Sequence, residues 1–146
     1  MLRSLAVVAA IAVGATVAYA QNVDAIKKRQ DAMDAMDDAT KPPINMLKGT
    51  EPFDLAKVQA ALATYQAEAA KAKDFFPDDS KTGKDTEALP VIWTKKTEFL
   101  AHFDKLAADA KAASAAITNE ATFKSEFNKI MRDCVACHKE YRAPSK

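Results

Sequence analysis

Both cysteines of this 146-residue chain and one of its two histidines fall in a single short run, Cys134-Val135-Ala136-Cys137-His138. On a helix, thiols three residues apart lie on one face, about 4.5 Å apart along the axis. Each can then bond one vinyl group on the same edge of a porphyrin. A histidine four positions after the first cysteine is rotated only about 40° from it, so its imidazole is presented to a metal at the centre of that ring. The run is the attachment pattern of a covalent c-type haem.

Other uses of the same side chains fit less well. A thioredoxin-type dithiol needs a helix N-terminus after a strand to lower its thiol pKa, whereas these cysteines sit near the end of a long helical pattern. A disulfide across three helical residues closes a tiny loop and restrains little. Zinc needs more ligands, and His102, the other histidine, lies in the preceding segment.

The elements that must position this run are helical. The chain is 49% apolar and 28% charged, ordinary for one globular domain, with abundant alanine and only three glycines. A first segment starts near Val23, carries Ile26, Met33, Met36, Met46 and Leu47, and is expected to bend or end at Pro42-Pro43. A second follows an N-cap at Asp54 and shows Leu55, Val58, Leu62, Tyr65, Ala69, Ala72 and Phe76 in alternating three and four spacing, the pattern of a packed seam. Pro77 to Glu87 is polar and reads as the longest loop. A third segment begins at Pro90 and runs through Trp93, Phe99, Phe103 and Leu106 to Ile117. The fourth opens near Asn119 and carries Phe123, Phe127, Ile130, Cys134, Cys137 and Tyr141. Period-two alternation is missing, so the fold expected is all-α: an antiparallel four-helix bundle with haem c bound near the C-terminus. So many alanines leave little bulk for a core, and something else is expected to fill the middle.

Residues 1–20 read as a secretory signal peptide. Arg3 supplies a basic start, Leu5 to Val13 is apolar, and Ala18-Tyr19-Ala20 is a signal-peptidase pattern. With Gly14 and Thr16 inside it, the apolar stretch is short for a spanning anchor. The mature domain is then 21–146, exported to the bacterial periplasm and free of the membrane. Loss of Arg3 takes the formal charge from +1 to zero, which argues against nucleic acid as a partner.

A haem motif at the C-terminal end of such a bundle resembles the class II c-type cytochromes, the cytochrome c′ type in particular. Further residues carry the resemblance: Arg29-Gln30 with Met33 and Met36, Thr40-Lys41-Pro42, Met46-Leu47-Lys48-Gly49, Phe75-Phe76-Pro77, Ala88-Leu89-Pro90-Val91-Ile92-Trp93, and Tyr141-Arg142. The low-spin cytochrome c-556 branch is similar in most of them. The resemblance implies thioether bonds at Cys134 and Cys137 and proximal iron ligation by His138. It places Arg29 and Gln30 against the haem, the arginine near a propionate, sets Glu87 and Trp93 along the haem edge, and puts Arg142 beside the proximal imidazole. It also implies a homodimer formed largely through the first two helices, and redox partner proteins in the periplasm.

Met33 decides the mechanism. Its sulfur either binds iron, giving a low-spin electron carrier, or caps the sixth position without binding, leaving five-coordinate iron open to small uncharged gases. The resemblance favours the second: a haem protein that binds nitric oxide or carbon monoxide and can carry single electrons, with the cytochrome c-556-type carrier as the alternative. An enzyme such as a peroxidase is not expected, because helical rotation should turn Asp34 away from Met33 and no other distal acid or base is in view. His102, spaced with Phe99, Phe103 and Leu106, is expected at the edge of the core or at a subunit contact.

Overall fold

The computed structural model describes residues 22–83 and 85–144; the signal peptide assigned to 1–20 lies outside the described residues. Four long helices form the bundle: α1 (Val23–Leu47), α2 (Leu55–Ala72), α4 (Lys96–Ala116) and α5 (Glu120–Tyr141), with a one-turn α3 (Val91–Thr94) before α4. Their starts follow from side chains that satisfy first-turn amides. Asn22 Oδ1 accepts from Ala25 N at 2.9 Å, Asp54 Oδ1 accepts from Lys57 N at 3.1 Å, and Asn119 and Thr122 form a reciprocal capping box.

The apolar stripes meet in one core in which Val58, Leu62, Tyr65, Ile117, Phe123, Phe127 and Ile130 are almost fully buried. Burial of such side chains stabilises by roughly 1.5–3 kcal/mol each. The single polar atom of Tyr65 is satisfied by Thr40, with Oη and Oγ1 2.6 Å apart. Ala61, Ala69 and Ala72 of α2 and Ala110 and Ala113 of α4 are buried in the core, where small side chains let helices approach closely.

Three expectations are corrected. Pro42 and Pro43 do not end α1, which runs on to Leu47. Each proline removes one backbone donor and disfavours helix before it, but Pro43 and Met46 are buried in the core, and that packing keeps the last turn in register. The third segment is not continuous: at Lys95 (φ −120°, ψ 44°) α3 breaks from α4. Ile92, Phe99 and Phe103 are buried on both sides of the break, so apolar spacing does not register it. Leu55, first in the α2 seam, is exposed. The Pro77–Glu87 connection is as expected, apart from a short 3₁₀ turn at Asp78–Ser80. No strand occurs among the described residues, only an isolated antiparallel bridge between Ala88 and Arg142.

Candidate functional site

Helix α2 packs against α1 and α4, and α4 against α5, while the side between α1 and α5 is less tightly closed. A cavity of about 700 Å³ opens there, within the range of small-molecule and cofactor sites. Ile26, Arg29, Gln30 and Met33 line it from α1; Thr86, Glu87 and Ala88 from the loop; Ile92 and Phe99 from α3 and α4; Cys137, His138, Tyr141 and Arg142 from α5.

Of the three motif residues, Cys137 and His138 stand on the cavity wall, and Cys134 sits half-buried one turn earlier on α5. Burial pushes both thiols up, Cys137 to about 11, with the neighbouring cysteine and Glu140 adding to the effect. These are protonated thiols at neutral pH, not the low-pKa thiolate of a redox dithiol. Burial, then the Arg142 charge, lower the His138 pKa. A neutral imidazole keeps a nitrogen lone pair for a metal. No group of three or more His, Cys, Asp or Glu side chains able to hold a metal occurs among the described residues. His138 alone thus suits a metal whose remaining ligands come from a macrocycle.

Arg29 supplies the second part of the fit. It is only 4% exposed, a rare condition for a permanent cation, and it forms no ion pair with any described carboxylate. Nη1 donates to Ser80 Oγ at 2.9 Å and to the Phe75 carbonyl at 3.3 Å; Nη2 donates to Thr86 Oγ1 at 2.6 Å and to the Ser80 carbonyl at 3.0 Å. The guanidinium also lies over the Phe76 and Trp93 rings, 5.1 and 5.8 Å from their centroids. A buried positive charge on the wall of the cavity is complementary to an anionic cofactor group.

The other sequence-identified residues divide. Gln30 is exposed, and its Nε2 donates to the Asp85 carbonyl at 2.8 Å, tying α1 to a residue with φ of +65°. Glu87 and Arg142 meet at the mouth in a 3.8 Å ion pair. Backbone bonds from Ala143 N to Glu87 O (2.8 Å) and Leu89 N to Tyr141 O (3.0 Å) stitch the loop to the end of α5. Trp93 does not line the cavity: it stands behind Arg29, and its indole N–H is shared by the Phe76 and Pro77 carbonyls at 3.2 and 3.1 Å. Asp34, expected to point away, stands on the same cavity wall as Met33, because the cavity spans a wider arc of α1 than the apolar stripe does; its side chain remains exposed. Ser80 and Thr86 escaped the sequence reading, since nothing in an aperiodic polar loop marks which hydroxyls will meet a buried arginine.

His102 lies apart from the cavity, edge-on to Tyr141 with ring centroids 5.5 Å apart. Replacing it with leucine is therefore expected to leave the visible absorption spectrum unchanged and to shift stability by about 1 kcal/mol or less. A change of spin state in that variant would contradict this placement.

The cytochrome C′ family profile matches residues 24–142, nearly all of the described chain. The chain belongs to the cytochrome c′ family. A cytochrome c′ of Rhodopseudomonas palustris is 42% identical over 142 residues, 97% of each chain, and a solved structure of that organism's cytochrome c′ matches with a TM-score of 0.82 over 84% of this chain and 98% of its own. A cytochrome c-556 of Agrobacterium fabrum is 33% identical over 80% of each chain. A nitric oxide complex of a cytochrome c′ variant from Alcaligenes xylosoxidans matches at 25% identity with a TM-score of 0.73, over 86% of this chain and 98% of its own. Membership makes this a haem c protein, and the paired cysteines, the His138 imidazole and the buried cation fit that cofactor.

Proposed function

We propose that this is a periplasmic haem c protein with five-coordinate iron, which binds small uncharged gases such as nitric oxide and carbon monoxide and exchanges single electrons. The observation that carries the reading is the graded similarity: 42% identity to a cytochrome c′ over 97% of the chain, against 33% to a cytochrome c-556 over 80%. A solved member of the same family is a nitric oxide complex.

In this reading Cys134 and Cys137 hold the haem through thioether bonds and His138 ligates its iron. When bound, the haem supplies an iron that takes a gas ligand or changes oxidation state by one electron. Around it, Ile26 and Met33 present an apolar surface from α1 that admits a small neutral molecule. Arg29 offers its charge to a propionate, and Gln30 and the Glu87–Arg142 pair hold the mouth of the cavity in place. No helix among the described residues is long and apolar enough to cross a membrane.

The alternative, favoured by the half-buried thioether of Met33 on the cavity wall, is a low-spin carrier with that sulfur as sixth ligand. Carbon monoxide titration of the reduced protein separates the two. Complete, rapid binding with a high-spin starting spectrum is expected, and Met33→Ala should keep that spectrum while raising the carbon monoxide on-rate by roughly tenfold, about 1.4 kcal/mol of barrier. Refusal of carbon monoxide by the parent, with a low-spin spectrum that Met33→Ala converts to high spin, would establish the alternative.

A further inference from the structure

Most cations on this surface are neutralised locally. On α5 every acidic side chain is engaged: Glu120 with Lys124 at 2.7 Å, Glu126 with Lys129 at 2.7 Å, Asp133 with Lys105 at 2.6 Å and Glu140 with Lys95 at 2.9 Å. One stripe of the same helix departs from this pattern. Arg132, Val135, Lys139 and Arg142, at spacings of three and four, share a solvent face and are all exposed. Among the described residues Arg132 and Lys139 join no ion pair, and Arg142 has only the 3.8 Å contact to Glu87, in which both side chains are about half exposed. Val135, between the two cysteines, is 66% exposed, the largest exposure among the big apolar residues described. It borders a shallow groove of about 370 Å³ that also includes His138, Lys139, Arg142, Ala143 and Pro144.

We propose that this stripe is the docking surface for an acidic redox protein, with Val135 as its apolar centre and Arg132, Lys139 and Arg142 as its charged rim. The inference rests on the single-electron part of the proposed function. Its physical basis is local: the formal charge is near zero, so long-range steering of a partner must come from an uneven distribution of charge and not from net charge. A rim in which positive charge predominates, around a small apolar patch, is the arrangement that speeds encounter and fixes orientation in a transient complex. A partner seated on Val135 is also one residue from Cys134.

The test is stopped-flow reduction of the oxidised holoprotein by reduced flavodoxin, an acidic one-electron donor, across a range of ionic strength. The parent rate constant is expected to fall as salt screens the contact. The double variant Arg132→Glu, Lys139→Glu should be slower by about tenfold or more at low ionic strength and lose most of its salt dependence. Lys48→Glu, Lys111→Glu makes the same change in net charge on exposed residues of α1's end and α4, and should stay within about twofold of the parent. Haem content and visible spectrum identical to the parent show that both variants are intact. Equal slowing in the two double variants, or none in the first, overturns the docking surface while leaving electron exchange standing. Failure of flavodoxin to reduce the parent at any ionic strength overturns electron exchange itself. Binding of the parent to phosphatidylglycerol vesicles that is abolished by Arg132→Glu, Lys139→Glu, with flavodoxin rates unchanged, assigns the stripe to a lipid surface and overturns the proposal.

Discussion

Purified after co-expression with a haem-attachment system, the Cys134→Ser, Cys137→Ser double variant is expected to yield a polypeptide of bare peptide mass, with any pigment extractable by acid acetone, whereas the parent carries one haem that resists extraction. Both thiols are half-buried on α5, and burial raises their pKa, so neither is poised for thiolate chemistry that could explain the pairing otherwise. The expected consequence for stability is as large as the chemical one. Without a covalently held occupant, about 700 Å³ between α1 and α5 is left to water or to collapse, and Ile26, Ile92, Phe99 and Tyr141 lose contacts on one side. The bundle can relax only in part, since α2 remains packed against α1 and α4. Destabilisation by about 3 kcal/mol or more, a fall of roughly 10 °C or more in Tm, is expected by calorimetry or circular dichroism. A parent without acid-stable haem, or a double variant that keeps it, would remove the foundation of the functional assignment.

The fold was largely legible because its signals are local. Asn119 and Asp54 announce helix starts by their capping chemistry, and the Val58, Leu62, Tyr65, Ala69, Ala72 spacing places one face of α2 in the core with no tertiary information. The errors arose where packing overrode local preference, as at Pro43, or where burial ran across a break, as at Lys95. The candidate site divides in the same way. Cys137 and His138 were legible as wall residues because they are neighbours in one short motif on one helix. The cradle around Arg29 was not, because Phe75, Ser80 and Thr86 are about 50 residues away in sequence and come together only when the α2–α3 connection folds back on α1. Asp34 was misplaced for a geometric reason: an apolar stripe marks where a helix meets protein, not how far a cavity extends around it.

Arg29→Leu is expected to be the most damaging single substitution outside the haem motif. The native guanidinium satisfies four acceptors and two aromatic faces at once, a combination that needs its planar fork. Leucine matches the stem but leaves the Ser80 and Thr86 hydroxyls and two carbonyls without that donor, in a place water reaches poorly. A loss of about 3 kcal/mol is expected, measured by denaturant unfolding of the holoprotein. Arg29→Lys should recover less than half of it, because a single ammonium cannot reach both sides of the Phe75–Thr86 turn. Burial lowers the arginine pKa, yet the group stays charged at any physiological pH, so its charge requires a counterpart that the described residues do not supply. If that counterpart is a haem propionate, the leucine variant must cost more in the holoprotein than in the haem-free chain, and the reduction potential must fall, since a cation near the haem favours the reduced form. Equal losses in the two forms with an unchanged potential would show that Arg29 serves the loop alone, and a loss below about 1 kcal/mol would show that its hydrogen bonds merely replace those it makes to water.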